Sequence, residues 1–160
     1  MRILGIDPGT ATVGFGAIDL GEDFQYSLVQ FGTIQTPAGR PMPERLSMIY
    51  EDMKELLETF KPDCVSIEQL FAFRNVTNVI SVSQARGVLL LATQQAGCAI
   101  AEYPPMVVKQ VIAGYGRAEK REVQEQVRDL LGLEAIPRPD DAADALGLAI
   151  CHAHHLEGGL

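Results

Sequence analysis

Three strand-like stretches joined by very short turns open the chain, and they restrict its fold more than any other feature. Arg2–Asp7 is a short apolar run, and Thr12–Leu20 and Tyr26–Thr36 follow it after only a few intervening residues. In the first connection Pro8 fixes φ and Gly9 accepts a positive φ, which is typical of a tight turn. Because such short connections reverse the chain, the three strands are predicted to form an antiparallel meander.

The pattern then changes to helical spacing. From Pro43 to Phe60 apolar residues recur on one face of a predicted helix, and Cys64–Glu68 is another short apolar run. A strand, a helix and a strand in this order favour a right-handed crossover to a parallel strand. A fifth strand is predicted over Ala99–Glu102, and further helices over Thr77–Ala96, Pro104–Val111, Glu119–Leu131 and Asp140–His155. We therefore expect an α/β domain with a mixed sheet.

Length and charge set limits on the function. At 160 residues, with 47% hydrophobic and 21% charged residues, the chain fits one globular domain over residues 1–160. Its net charge of −8 is unfavourable for a nucleic-acid ligand, but residues 69–121 hold six basic and two acidic residues and so carry +4. A basic stretch in an acidic chain fits one cationic surface around an anionic site, although a chance fluctuation of charge is the alternative.

The sequence has no segment that predicts export or membrane insertion. Its apolar runs are too short to span a bilayer, and the opening MRILGIDPGT is too poor in apolar residues for a signal peptide. We therefore expect a cytoplasmic protein with no membrane association. The three cysteines are widely spaced, and we interpret them as small buried side chains rather than as a disulfide or a zinc site.

Four acidic residues occupy positions that are typical of a metal site. Asp7 ends the first strand, Glu68 ends the fourth, and Asp141 and Asp144 lie on one face near the start of the last helix. If the first and fourth strands are parallel neighbours, their acids emerge side by side at the carboxyl edge of the sheet. Carboxylates without histidine or cysteine favour Mg²⁺ or Mn²⁺, and a pair of such ions can serve phosphodiester hydrolysis.

Most of these acids have a structural alternative when taken singly. Asp7 can cap the turn that follows it, and Asp140 or Asp141 can cap the last helix. Glu68 is harder to explain by packing alone, because it follows the buried run Val65–Ile67. The convergence of the four acids on neighbouring strand and helix ends favours a functional site.

The predicted helix Thr77–Ala96 is apolar on more than one face and so needs two burying surfaces. One surface is its own sheet. The other is predicted to be a second subunit, with Gly87 allowing close approach, and the alternative is a central helix fully covered within one chain.

Six short segments occur in the order of one known family and extend across nearly the whole chain. They are Gly5–Thr10, Ile67–Phe71, Gln84–Gly87, Val108–Gln110, Gly116–Lys120 and Asp141–Leu146. On these segments the chain resembles the RuvC family of Holliday-junction resolvases. The resemblance implies an RNase-H-like fold: a mixed five-stranded sheet, three strands antiparallel and the rest parallel, flanked by helices.

The same resemblance implies the activity and the partners. It implies a homodimeric endonuclease that resolves four-way DNA junctions by paired symmetric nicks in recombination and repair. Mg²⁺ is the implied cofactor, with two ions in each active site and Mn²⁺ as a substitute. The RuvA–RuvB branch-migration motor is the implied protein partner.

The resemblance also assigns roles to individual residues. The implied catalytic metal ligands are Asp7, Glu68, Asp141 and Asp144. Lys109 and Lys120 match basic residues expected to contact DNA phosphate or to stabilise transition-state charge. Phe71 matches an aromatic residue that stacks on a base at the crossover, with Phe73 as a rival, and Arg74 is placed in the same DNA-binding loop. Some family members have histidine in place of Asp141, and Asp140 is an additional acid that competes as ligand or cap.

Three other functions remain open on the sequence. The opening Gly5–Thr10 also resembles the phosphate loop of actin-like and sugar-kinase proteins, which need two such domains. A nuclease acting on RNA or on RNA–DNA hybrids would use the same acids. A non-catalytic junction-binding module is disfavoured, because clustered carboxylates weaken DNA binding when no metal is bound.

Overall fold

The strands and helices lie close to their predicted bounds in the structure, a computed structural model that describes residues 1–70 and 76–158. The strands are β1 (Arg2–Asp7), β2 (Thr12–Leu20), β3 (Tyr26–Gln35), β4 (Cys64–Glu68) and β5 (Ala99–Tyr103). The helices are α1 (Met42–Phe60), α2 (Val76–Gln95), α3 (Pro105–Ala113), α4 (Lys120–Leu130) and α5 (Asp140–Leu156). The largest difference is in α3, which continues to a left-handed cap at Gly114.

The strands form one mixed sheet in the order β3-β2-β1-β4-β5. β2 pairs antiparallel with β1 and with β3, as expected for strands joined by short turns. β4 pairs in parallel with both β1 and β5. The predicted mixed sheet is confirmed, and so is the parallel pairing of the first and fourth strands.

Each face of the sheet has its own hydrophobic core. On one face, α1 and α2 cover a cluster that includes Leu4, Ile6, Met53, Val65 and Leu89. On the other face, α3, α4 and α5 cover a second cluster, which draws heavily on α5. The alternation of side chains along β1 explains this division, because successive residues of a strand point to opposite faces.

Helix α5 lies directly on the sheet because glycines remove the side chains that would separate them. A Cβ atom on Gly5 of β1 would lie 1.8 Å from the carbonyl oxygen of Ala145, and one on Gly14 of β2 would lie 1.9 Å from that of Asp141. Both distances are far below a van der Waals contact. The helix is itself rich in buried small residues: Ala142, Ala143, Ala145, Gly147, Ala149 and Ala153.

Two polar contacts continue this packing toward the other edge of the sheet. Ser66 of β4 is fully buried and donates a 2.8 Å hydrogen bond to the carbonyl oxygen of Leu148. The Tyr103 hydroxyl of β5 lies 2.6 Å from Nδ1 of His152. Successive turns of α5 therefore contact β2, β1, β4 and β5, which fixes the start of the helix against the first two strands.

Two histidines near the end of α5 pack against β5. His152 and His155 are half-buried, and both rings pack against Tyr103. Cys64, Cys98 and Cys151 are free thiols, as expected, but Cys98 is half-buried rather than buried. No helix within residues 1–70 and 76–158 is long and apolar enough to cross a bilayer.

The contact between β2 and α5 leads to a stability prediction. Gly14→Ala forces a methyl group against the α5 backbone, which can move away only by disturbing the core, so the free energy of unfolding should fall by about 1–3 kcal/mol. Gly39→Ala is the matched control, because nothing lies within 4 Å of a Cβ at Gly39. Urea unfolding of both variants measures the difference, and equal stability would show that α5 does not depend on this contact.

Candidate metal centre

Asp7 and Glu68 lie side by side at the carboxyl ends of two parallel strands. The register pairs Ile6 with Ile67, so the residue that follows each lies at the same level of the sheet. In both strands buried apolar residues precede the acid, and the acid itself is half-buried. The arrangement predicted for these two acids is therefore what the structure shows.

Hydrogen bonds from and to neighbouring elements hold the main chain at the end of β4. No role was predicted from the sequence for the residues that donate them. Arg86 of α2 donates from Nε to the Glu68 carbonyl oxygen at 3.0 Å and from Nη2 to Glu102 at 2.7 Å. The backbone N–H of Gln69 donates a 2.9 Å hydrogen bond to the Tyr103 carbonyl oxygen. These bonds fix the end of β4. Arg86 lies in Gln84–Gly87, one of the six segments that carry the resemblance to the RuvC family, and this segment was the sequence signal for its role.

The start of α5 brings two more acids to the same place. Carboxylate oxygens of Asp7, Asp141 and Asp144 lie within 4.8 Å of one another. Glu68 lies beside this group, because it ends the strand that runs parallel to β1 and lines the same cavity as Asp144. The structure thus brings together all four acids that the sequence selected.

The capping alternative for the last helix is wrong. Pro139 is the N-cap residue of α5, and no side chain caps this end of the helix. Asp140 and Asp141 lie in the first turn instead, where negative charge is favourable to the helix dipole.

The acids strongly perturb each other's protonation. Burial, together with the charges of Glu68, Asp144 and Asp141, raises the pKa of Asp7 from its ordinary 3.8 to about 9. Burial and the charge of Asp144 also raise the pKa of Glu68. Burial likewise raises the pKa of Asp144, against the opposing charge of Lys120. Without a compensating cation, the folded chain therefore disfavours full ionisation of this site.

The donor set fits a hard divalent cation. Two oxygen ligands on opposite sides of Mg²⁺ or Ca²⁺ lie about 4–5 Å apart. The oxygens of the three acids lie within 4.8 Å of one another and are therefore close enough to bind one ion. All of these donors are carboxylate oxygens, the type that Mg²⁺ and Mn²⁺ prefer.

Two lysines line a cavity beside the acids. The cavity has a volume of about 250 Å³, and its polar lining consists of Glu68, Asp144, Lys109 and Lys120. Lys109 lies on α3, whose buried Val108 and Ile112 face Gly147 of α5. Lys120 is the first residue of α4, where a capping box between Glu119 and Glu122 fixes the helix start. The structure thus places both predicted lysines next to the acid cluster.

Lys120 is already paired within the chain. Its ammonium nitrogen lies 3.3 Å from Asp140 and 3.5 Å from Asp144. Burial alone would lower the pKa of Lys120, but the charges of Asp144 and Asp140 raise it above its ordinary value. The lysine therefore remains a cation beside the acids.

Two predicted DNA-binding residues, Phe71 and Arg74, lie outside the described residues, as does the rival Phe73. Their predicted roles stay predictions.

The acid cluster leads to a prediction about metal-free protein. The pKa of Asp7 is higher in the folded chain than in the unfolded chain, so the folded chain binds more protons between the two values. The free energy of unfolding should therefore fall as the pH rises through that window, and Asp7→Asn should flatten the fall.

Denaturant unfolding in EDTA, at steps between about pH 5 and pH 8, measures this slope. Asp52→Asn on α1 is the control, since Asp52 lies outside the cluster. If Asp7→Asn leaves the pH dependence of the free energy of unfolding unchanged, Asp7 is not the source of that dependence. If added Mg²⁺ fails to stabilise the wild-type protein, the acids do not bind the ion.

Comparison with known proteins identifies the family. A family model described as Crossover junction endodeoxyribonuclease RuvC matches residues 3–152. The protein of that name from Brevibacillus brevis is 56% identical over 153 residues, which cover 96% of this chain and 92% of the relative. The protein of the same name from Chloroflexus aurantiacus is 53% identical over 154 residues, covering 96% and 93%.

A solved structure agrees with the sequence relatives. The structure of Thermus thermophilus RuvC in complex with a Holliday junction substrate matches with a TM-score of 0.90 and 34% identity, covering 99% of this chain and 97% of that one. The yeast mitochondrial Holliday junction resolvase, at 14% identity and a TM-score of 0.69, shares the fold. The chain belongs to the RuvC family of crossover junction endodeoxyribonucleases.

Proposed function

We propose that this nuclease resolves four-way DNA junctions through a metal centre formed by Asp7, Glu68, Asp141 and Asp144. The observation that carries the proposal is the convergence of carboxylates from β1 and α5 within 4.8 Å, beside Glu68 at the end of the parallel strand β4. Residues 1–160 act as one nuclease domain in this account.

The substrate class follows from the family and from the charges around the site. A Holliday junction is bound in the structure of the Thermus relative. In this chain Lys109 and Lys120 line the cavity beside the acids, where they would meet the negative charge of a DNA phosphate. The acidic residues of α1 belong to the layer on the other face of the sheet, away from this cavity.

The proposed cofactor is Mg²⁺, two ions in each site, with Mn²⁺ as a substitute. Bound there, these ions would supply an activated water and stabilise the leaving oxygen during phosphodiester hydrolysis. Asp7 and Glu68 hold the metal from the strands, and Asp141 and Asp144 complete its ligands from α5. Lys109 and Lys120 stabilise the charge that develops on the phosphate, and each nick leaves a 5′-phosphate and a 3′-hydroxyl.

A homodimer is the proposed assembly, because α2 has an uncovered outer face. Its inner residues Ala85, Leu89 and Ala92 are buried in the core. On the outer side Ile80 and Leu91 remain 55% and 52% exposed, and a Cβ added to Gly87 between them would meet no atom within 4 Å. These positions recur at helical spacing, so a second copy of α2 would bury them together. Two sites related by symmetry would then make the paired nicks.

Four further assignments complete the proposal. Phe71 stacks on a base at the crossover, and Arg74 contacts DNA. The RuvA–RuvB motor supplies the junction, and the protein works in the cytoplasm.

Removal of one ligand charge tests the metal centre. Glu68→Gln keeps the size of the side chain but replaces the carboxylate with a weaker ligand, so junction cleavage should fall by about two orders of magnitude or more while binding persists. Cleavage and gel-shift assays with a labelled four-way junction measure the two effects. Glu125→Gln, on the exposed surface of α4, is the control. Normal cleavage by the Glu68 variant would remove this residue from the site.

Disruption of the outer face of α2 tests the dimer. Leu91→Glu places a charge in the proposed interface and should convert the protein to a monomer, as measured by analytical ultracentrifugation. Leu130→Glu is a matched control on α4, where Leu130 is 41% exposed. If the wild-type protein sediments as a monomer at micromolar concentration, this face is not a dimer interface.

A further inference from the structure

Asp140 occupies an unusual position beside the metal centre. One of its carboxylate oxygens lies 3.3 Å from the Lys120 ammonium nitrogen. The other accepts a 3.2 Å hydrogen bond from the Gln124 side-chain amide. Asp140 is the first residue of α5, while Lys120 and Gln124 occupy one face of α4. The carboxylate therefore joins the starts of α4 and α5, two of the helices that border the cavity.

Asp140 does not act as a fifth metal ligand in this arrangement. Among the described acids, Glu68 and Asp144 line the cavity beside the cluster, whereas Asp140 does not. Both of its own oxygens already have partners on α4. Its contact with the metal centre runs through Lys120.

Lys120 and a metal ion compete for Asp144. The ammonium nitrogen lies 3.5 Å from an Asp144 carboxylate oxygen, so the lysine holds part of the ligand charge that a cation needs. The acid at position 140 offers the ammonium a second acceptor at a shorter distance. If that acceptor is lost, attraction between opposite charges brings the lysine onto Asp144 alone.

We propose that Asp140 is a positioning residue, oriented by Gln124, that keeps Lys120 beside Asp144 and leaves the Asp144 carboxylate available to the metal. This inference rests on the proposed function for the identity of the metal site. It adds a role for the acid at position 140, which sequence analysis left between ligand and cap. In the assembled site the same contact holds the lysine where it can face a phosphate.

Metal binding without DNA tests the proposal. The variants are Asp140→Asn, Lys120→Ala and the double variant, and the measurements are Mg²⁺ and Mn²⁺ titrations followed by calorimetry and by thermal unfolding. Asp140→Asn should raise the cation concentration at half-saturation about two- to fivefold, the range expected for a partly exposed ion pair. In the Lys120→Ala background the same substitution should have little effect, because the competing cation is gone.

A separate variant distinguishes the orientation of the Asp140 carboxylate from its charge. Gln124→Ala retains the Asp140 carboxylate but removes the group that orients it, so it should weaken metal binding in the same direction. Asp129→Asn removes an acid of α4 that pairs with Arg128, and it is the control for charge alone.

Two outcomes would overturn the proposal. An equal effect of Asp140→Asn with and without Lys120 would show that Asp140 acts through its own charge or as a ligand. Unchanged metal binding in Asp140→Asn would show that it does not position the lysine. Because no DNA is present, either result is independent of whether the protein resolves junctions.

Discussion

The close contact between α5 and the strands β1 and β2 is the constraint on which the rest of the structure depends. Gly5 and Gly14 allow the helix backbone to touch the sheet directly, at positions where any Cβ would clash. Gly14 pairs with Asp7 across the two strands and lies under the carbonyl of Asp141. The contact that packs the helix therefore also sets the distance between acids from separate ends of the chain.

This arrangement has an energetic cost that the function explains. Carboxylates that are partly buried near one another favour the protonated state, as the raised pKa values of Asp7, Glu68 and Asp144 show. A fold selected only for stability would replace some of them with neutral residues. A divalent cation bound as proposed would remove the repulsion, and metal binding would then be coupled to stability. Lys109 and Lys120 at its rim offset part of the charge and lie where phosphate would approach.

Much of this site was predictable from sequence, because its acids follow or begin regular elements. Asp7 and Glu68 end apolar strands, and the spacing of Asp141 and Asp144 puts them on one helical face. Contacts between distant elements were not predictable. The hydrogen bond from Arg86 to the Glu68 carbonyl depends on how α2 crosses β4. The contacts of Asp140 with α4 depend on how the start of α5 packs against the start of α4. The periodicity of the sequence does not predict how two helices pack.

Cleavage by the wild-type protein tests the central claim most directly. Labelled four-way junction, linear duplex and RNA–DNA hybrid would each be incubated with and without Mg²⁺. We expect paired nicks in the junction that require Mg²⁺, with the duplex and the hybrid left intact. Junction cleavage that persists in EDTA would contradict the metal centre. Cleavage of the hybrid in place of the junction would retain the metal centre but contradict the proposed substrate.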